Sequence, residues 1–489
     1  MFPWQSVISV NRDSTKPIYL QIVNSFIKEI TQGRLNAGHK LPGTRALAEQ
    51  LQLNRKTVAD AYDELLAQGW INIIPSKGTF VSSDLPLERY KSLSQKTVKA
   101  MPVHQTGFSV NINDNISAET PDRGSLIEVN DGSPDVRLAP IDILMKNYRS
   151  IATGRLRRQY LAYSGLTGDP YLRQVLSNYL NATRGVICSP DHIFISRGSQ
   201  MAIYLIFKTL ITPGDVVVVG ETNYEAADWV ISESGATMRR IPVDEQGIST
   251  DAIEELCRKQ AIRAIYITSH HHYPTTVTLS AERRIKLLSL AEEYKFAIVE
   301  DDYDYDFHYT SGPILPLASL DTKGHVIYTG SFSKLLAPTV RVGYVVAPPN
   351  MITEMAKARR IVDRQGDPIL ERAVGELISE GEMRRHLKKA VRVYKARRDA
   401  FCDLLKLYLG DKVDFKIPDG GMALWARFDN SINLERVATK LPHYGLYLNV
   451  EKSFVKDMNC SRLGFASLNA QELETVVARF AKAVNELGV

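Results

Sequence analysis

Short apolar runs alternate with helical periodicity over most of this chain, behind an N-terminal set of three helical stretches and a hairpin. That order predicts an α/β fold: a winged helix-turn-helix followed by a larger domain with a mainly parallel sheet and a small α+β C-terminal part. A length of 489 residues accommodates two or three domains, each with its own core.

The N-terminal elements follow from spacing and punctuation. Tyr19 to Ile30 has apolar residues at Ile22, Val23, Phe26, Ile27 and Ile30, a helical pattern that Gly33 ends. Leu47, Ala48 and Leu51 mark a second short helix. Leu53-Asn54 makes the turn, and Asn54 suits the N-cap of a third helix with Val58, Ala61, Tyr62 and Leu65 on its buried side. Gly69 stops that helix. Trp70–Ile74 and Thr79–Val81 read as strands joined by Pro75-Ser76-Lys77-Gly78.

Periodicity fades over 83–124, where Ser, Thr, Asn, Asp and Pro dominate, as expected of a linker between domains 1–82 and 125–489. Beyond it, Ile193–Ile195, Val216–Val219, Ala264–Ile267, Phe296–Val299 and Val326–Tyr328 are continuous apolar runs. Such runs suit strands buried on both faces of a parallel sheet. A large part is expected over 125–350, and a small part over 351–489 that opens with a basic helical stretch from Ile352 to Leu409.

Composition sets outer bounds. Hydrophobic residues make up 44% and charged residues 24%, ordinary for a globular protein. Net charge is +5, and residues 1–82 hold nine Lys/Arg against six Asp/Glu, which permits DNA binding without requiring it. Cys188, Cys257, Cys402 and Cys460 are scattered, with no Cys-x-x-Cys pair, which argues against a metal cluster or a disulfide framework. The first residues do not have the pattern of a signal peptide, and no apolar run reaches spanning length, so a cytoplasmic protein is expected.

Two sets of residues carry chemistry. In the first, Arg55, Lys56 and Thr57 open the third helix, where a recognition helix meets base edges in the major groove. Arg55 suits the O6 and N7 atoms of guanine, and Lys56 a phosphate. Arg45 is placed to hold the DNA backbone, and Lys77 and Gly78 sit at the wing tip.

The second set answers the four needs of pyridoxal 5′-phosphate: an amine, a carboxylate at the ring nitrogen, a phosphate cradle and a stacking face. Lys334 is the amine, with Ser331, Ser333 and Arg341 around it for phosphate. Gly198-Ser199-Gln200 opens an apolar helix after a strand, a second phosphate-binding pattern. Asp301, after Phe296–Val299, suits the ring nitrogen, with Asp302 as its rival, since adjacent strand residues face opposite ways. Tyr303 suits the phenolic oxygen, and Tyr224 the stacking face.

Residues 17–82, with Leu41-Pro42-Gly43, Arg45, Leu47-Ala48, Asn54-Arg55-Lys56-Thr57-Val58 and Gly78-Thr79-Phe80-Val81, resemble the GntR family of winged helix-turn-helix domains. Gly43 and Asn54 stand where that pattern has Ser. The lysine site, with Gly132-Ser133-Pro134-Asp135, Tyr163 with Gly165, Arg173, Gly420-Gly421 with Trp425, and Arg462-Leu463-Gly464-Phe465-Ala466, resembles fold-type I aminotransferases. The join of the two resembles the MocR subfamily of bacterial regulators, of which GabR is the best-known type. That resemblance implies a homodimer, and a role for Arg462 in holding the carboxylate of an amino-acid ligand. His270-His271-His272-Tyr273-Pro274-Thr275-Thr276 departs from the family's loop, with Thr276 in place of Gly. His271 is expected near the pocket, and no metal is expected, because neighbouring residues on an extended segment face opposite ways.

The function expected is a DNA-binding transcription regulator that senses an amino acid or related amine through imine exchange at Lys334. Two alternatives stand beside it: an active aminotransferase with an accessory DNA-binding domain, and a regulator for which pyridoxal phosphate itself is the effector.

Overall fold

The structure is a computed structural model that describes residues 2–83, 85, 106–110, 116, 124–155, 157–310, 314–448 and 452–487. It divides into two compact units, Met1–Ile112 and Asn113–Val489. Most of the stretch read as a linker lies outside the described residues.

The first unit is built from α1 (Trp4–Val7), α2 (Ile18–Thr31), α3 (Thr44–Leu51), α4 (Arg55–Ala67), and the antiparallel strands β1 (Ile71–Ile74) and β2 (Gly78–Val81). The apolar positions read from spacing are its core: Ile22, Val23, Phe26, Leu47, Val58, Ala61 and Leu65 are all buried. Asn54 caps α4 by accepting from the Lys56 N–H at 2.8 Å. Gly43 caps α3 with no side-chain bond, so the hydroxyl missing there leaves that helix end without a side-chain acceptor. Helix α1 was not legible in the sequence. Its Trp4 is buried against Phe26, ring centroids 5.4 Å apart, and that tertiary contact holds a single turn too short to persist alone.

The second unit centres on a seven-stranded sheet. Its strands are β3 (Ile193–Ser196), β4 (Val216–Gly220), β5 (Thr237–Ile241), β6 (Ala264–Ile267), β7 (Ala297–Asp302), β8 (Val326–Ser331) and β9 (Gly343–Val346), in the spatial order β3-β9-β8-β7-β6-β4-β5. Within the sheet β9 alone runs against its neighbours, so the sheet is mainly parallel. Helix α5 (Gly198–Leu210) covers β8 and β9, burying Ala202, Ile203, Leu205, Ile206 and Phe207.

Two strands run further than the apolar pattern indicated. β7 continues through Glu300-Asp301-Asp302, all three buried, and β8 continues to Ser331. Apolarity fails to mark the end of β7 because its buried carboxylates take hydrogen bonds from Tyr266, Ser269 and Tyr328 on neighbouring segments. The stretch from Ile352 to Leu409 is not one helix but three: Pro349–Val362, Pro368–Ser379 and Glu382–Leu409. Pro368 cannot continue a preceding helix and starts a new one, capped by Asp367. Gly381, at φ +77°, supplies the second break. The C-terminal part adds a three-stranded antiparallel sheet of β10 (Val413–Phe415), β11 (Ala423–Phe428) and β12 (Cys460–Gly464).

Asn54→Ala removes the cap of α4 and is expected to cost about 1 kcal/mol in the N-terminal unit. Chemical denaturation checks this; a midpoint equal to wild type would remove the cap from the account.

Candidate functional site

Because β3, β4, β6, β7 and β8 run the same way, their C-terminal ends share one edge of the sheet, and the loops that follow them meet there. They enclose a cavity of about 210 Å³. Its wall includes Ser199 after β3, Tyr224 after β4, Asp301 and Tyr303 from β7 and its end, Ser331, Ser333 and Lys334 from β8 and its turn, Arg341, and Arg462 from β12. Arg341 arrives because β9 is antiparallel: residues just before its first residue lie at the edge where the other strands end.

Lys334 sits in the turn after β8, its amino group donating to the Gly132 carbonyl at 2.9 Å. Asp301 faces the cavity from β7 and accepts from the Tyr266 hydroxyl at 2.8 Å. Burial lifts the Asp301 carboxyl to about 6 against the pull of that hydrogen bond, with the nearby Asp304 charge adding to the lift. Asp302 faces away, into a buried set in which Tyr328 donates to it at 2.7 Å and the Arg184 guanidinium lies close by. Strand alternation thus separates the two carboxylates, and Asp301 is the one on the cavity.

The phosphate-binding candidates gather at the start of α5. Gly198 has φ +79°, and a Cβ there would lie 2.8 Å from the Arg341 guanidinium carbon, so glycine is required for that packing. The Ser333 N–H donates to Ser331 Oγ at 3.1 Å. Gln200 is exposed and does not line the cavity.

Arg462 is buried and donates three ways: to the Asp131 carbonyl at 2.7 Å, the Pro274 carbonyl at 3.0 Å and the Tyr303 hydroxyl at 3.2 Å. It also lies over the Tyr273 ring, 5.1 Å from its centroid. Tyr303 in turn donates to the His271 carbonyl at 2.9 Å.

His271 sits next to the cavity, its carbonyl accepting from the wall residue Tyr303. Its ring is not on the cavity wall but paired with Asp304 at 2.7 Å, behind Tyr303, because a buried imidazole takes the nearest carboxylate partner. The three histidines diverge: His270 packs against Tyr305 and His308, while the His272 ring lies 2.9 Å from the Thr222 carbonyl. Burial depresses His270 strongly and His272 to about 4, which keeps both rings neutral at pH 7. Among the described residues no group of His, Cys, Asp or Glu is arranged to hold a metal. Thr276 adopts φ +63°, a conformation that disfavours a β-branched side chain and that the family's glycine takes freely.

Sequence reasoning missed Asp131, Ser133, Tyr266, Thr268, Tyr273 and Pro338 on the wall. Tyr266 lay inside an apolar strand run and Asp131 beside a recognised Gly-Ser-Pro-Asp motif, so neither stood out without the register that places them.

In the first unit Arg45, Arg55 and Lys56 are exposed, Thr57 is half-buried, and Lys77 and Gly78 are exposed at the hairpin turn. Lys40, not singled out in the sequence, packs against Gly78 and over the Phe80 ring, 5.9 Å from its centroid, adding a cation to the wing.

Residues 18–81 match the model of the gntR family of bacterial regulatory proteins, and residues 129–480 that of class I and II aminotransferases. The chain therefore joins a GntR-type DNA-binding domain to an aminotransferase-like domain. With that order of domains, it belongs to the MocR-type regulators of the GntR family. It is 30% identical over 434 residues to the probable rhizopine catabolism regulatory protein MocR of Rhizobium meliloti, covering 88% of this chain and 85% of that one. It is 28% identical over 470 residues to the HTH-type transcriptional regulator TauR of Rhodobacter capsulatus, covering 93% and 94%. A kynurenine aminotransferase structure from Pyrococcus horikoshii, in complex with PMP, matches with a TM-score of 0.69 and 28% identity over 74% of this chain and 91% of that one. Among the described residues no helix is long and apolar enough to cross a membrane.

The cofactor of the aminotransferase fold is pyridoxal phosphate, and the cavity fits it. Asp301 Oδ1 and Ser333 Oγ are buried without a partner among the described residues. A ring nitrogen and a phosphate are the groups that would satisfy them.

The raised Asp301 carboxyl gives a pH signature. Its folded value lies above the unfolded one, so the cofactor-free fold loses stability as pH rises from about 4 through about 6. Asp301→Asn removes that cost, and is expected to raise the Tm of the cofactor-free protein at pH 8, by an effect on the order of 3 kcal/mol, with little change at pH 3. The same Tm difference at both pH values would contradict the assignment.

Proposed function

We propose that this chain is a transcription regulator that binds duplex DNA through its GntR-type unit and senses an amino acid or related amine at a pyridoxal phosphate held by Lys334. The observation that carries this reading is the convergence of Lys334, Asp301, Arg341 and Arg462 on one cavity in a chain whose other unit is a DNA-binding domain.

When bound, pyridoxal phosphate supplies an aldehyde that joins amines and a ring that withdraws electrons from them. Lys334 provides the nitrogen that joins it. Asp301, its carboxylate held by Tyr266, keeps a proton at the ring nitrogen. Ser199, Ser331, Ser333 and Arg341, with the N-terminus of α5, hold the phosphate, the helix end adding its own attraction for an anion. Tyr224 supplies a ring face, and Tyr303 a hydroxyl for the phenolic oxygen. Arg462 attracts a ligand carboxylate, and a ligand that takes over its donors competes with the Pro274 and Asp131 carbonyls. Exchange of those partners gives the ligand different contacts in two arrangements of the wall, which any ligand-driven shift requires.

At the other end Arg55, Lys56 and Thr57 enter the major groove, Arg45 holds the DNA backbone, and Lys77 and Gly78 approach from the wing. A homodimer would present two such units to paired half-sites. A second reading, turnover as an aminotransferase, draws on the same meeting of Lys334 and Arg462; sustained keto-acid release from amino donors would favour it over sensing.

Lys334→Ala is expected to abolish the borohydride-trapped cofactor adduct and the effector response while DNA binding persists. Peptide mapping and gel shift check this, and an adduct surviving in the variant would defeat the assignment. Arg55→Ala is expected to weaken specific DNA binding by roughly 1–3 kcal/mol, as loss of a bidentate guanine contact does. An unchanged footprint and affinity would remove Arg55 from the recognition set.

A further inference from the structure

The cavity contains a carboxylate that the reading above leaves without a task. Asp131 follows the strand Ile127–Val129 and lines the cavity with Lys334 and Arg462. Burial pushes its carboxyl up, yet the charges of Lys334 and Arg462, together with hydrogen bonds from its own backbone and from Tyr273, hold it below the ordinary carboxylate range. The Tyr273 hydroxyl donates to its Oδ2 at 3.4 Å, a long bond.

Asp131 helps to balance the Arg462 charge, but its carboxylate is not hydrogen-bonded to that guanidinium. Arg462 Nε donates to the backbone carbonyl of Asp131, not to its carboxylate, and its other two nitrogens go to Pro274 and Tyr303. The carboxylate stays in the cavity wall as an acceptor with remaining capacity. The adjacent Gly132 carbonyl already takes an amino group, that of Lys334, at 2.9 Å. The corner made by residues 131 and 132 therefore accommodates a cationic nitrogen by its own geometry. When the cofactor engages the Lys334 nitrogen, that nitrogen no longer serves as a three-proton donor. The Gly132 carbonyl would then be open to another donor, beside the Asp131 carboxylate on the cavity wall.

We propose that Asp131 and the Gly132 carbonyl form a seat for a second amino group on the ligand, so that the pocket selects diamines and basic amino acids over simple amines and acidic amino acids. This rests on the reading that Lys334 holds pyridoxal phosphate. A diamine presents one nitrogen to the cofactor and the other to the seat. A basic amino acid adds a carboxylate for Arg462. A dicarboxylic amino acid brings a second negative charge toward Asp131, and repulsion there discriminates against it.

The test is a titration of the cofactor absorbance of the full-length, pyridoxal-phosphate-loaded protein with 1,4-diaminobutane, L-ornithine, butylamine and L-glutamate. The first two are expected to act at about tenfold lower concentration than the last two, the scale of a charge-assisted hydrogen bond. Asp131→Asn, which keeps size and shape, is expected to erase that ratio, and Asp131→Ser serves as a second variant. A borohydride-trapped adduct at Lys334 in each variant shows that its pocket is intact. Equal potency of butylamine and diaminobutane on wild type overturns the seat, as does a ratio that survives in both variants. Failure of the cofactor to join Lys334 in wild type sinks this proposal together with the reading beneath it; a cofactor that joins Lys334 without preferring diamines sinks the seat alone.

Discussion

The hydrogen bond from Tyr266 to Asp301 exists because two neighbouring strands run parallel in one register. Tyr266 pairs with Val299, and Asp301, two residues on, emerges on the same face. A slip of one residue would turn Asp301 away and bring Asp302 to the cavity. The same parallel run gathers at one edge the loops that carry Ser199, Tyr224, Tyr303 and Lys334, and the reversed direction of β9 brings Arg341 to that edge too. The site is thus a consequence of sheet direction before it is a matter of particular side chains.

Around that edge the fold invests buried charge. Arg462 reaches from the C-terminal sheet to the Asp131, Pro274 and Tyr303 segments, and a guanidinium buried this deeply is tolerable because its donors are met. Behind the cavity, Arg184 pairs with Asp306 at 2.6 Å and donates to the Tyr344 hydroxyl at 2.7 Å, offsetting the negative charge of Asp302 nearby. Two carboxylates adjacent in sequence are therefore kept in separate electrostatic surroundings, one facing the cavity and one facing an arginine. The His270–His272 loop follows the same logic: each ring finds different neighbours, and burial keeps His270 and His272 neutral.

The N-terminal unit has a core of its own, closed by Trp4 against Phe26, and displays Arg45, Arg55 and Lys56 on its surface. Its chemistry is presentation: a small apolar core fixes α4 so that its first turn, capped by Asn54, is held out to solvent. The C-terminal unit does the reverse, hiding its chemistry where low dielectric strengthens each contact.

Local rules made much of this readable in the chain. The Asn54 cap, the α4 core positions, the apolar strands and the Lys334 turn each depend on residues within a few positions of one another, where helical and strand periods act directly. Nine of the residues nominated for the cofactor and its ligand do line one cavity: Tyr224, Ser199, Asp301, Tyr303, Ser331, Ser333, Lys334, Arg341 and Arg462. What escaped notice depends on distant segments meeting. Tyr266 acquires meaning only from a carboxylate on the next strand, Asp131 from an arginine 331 positions later, and Trp4 from a helix it must pack against. The ring of His271 turned to Asp304 for the same reason, since burial made that carboxylate its partner. Short-range periodicity encodes which elements form; the pairing and burial of elements far apart in the chain decide which polar atoms must satisfy one another, and so which residues become the site.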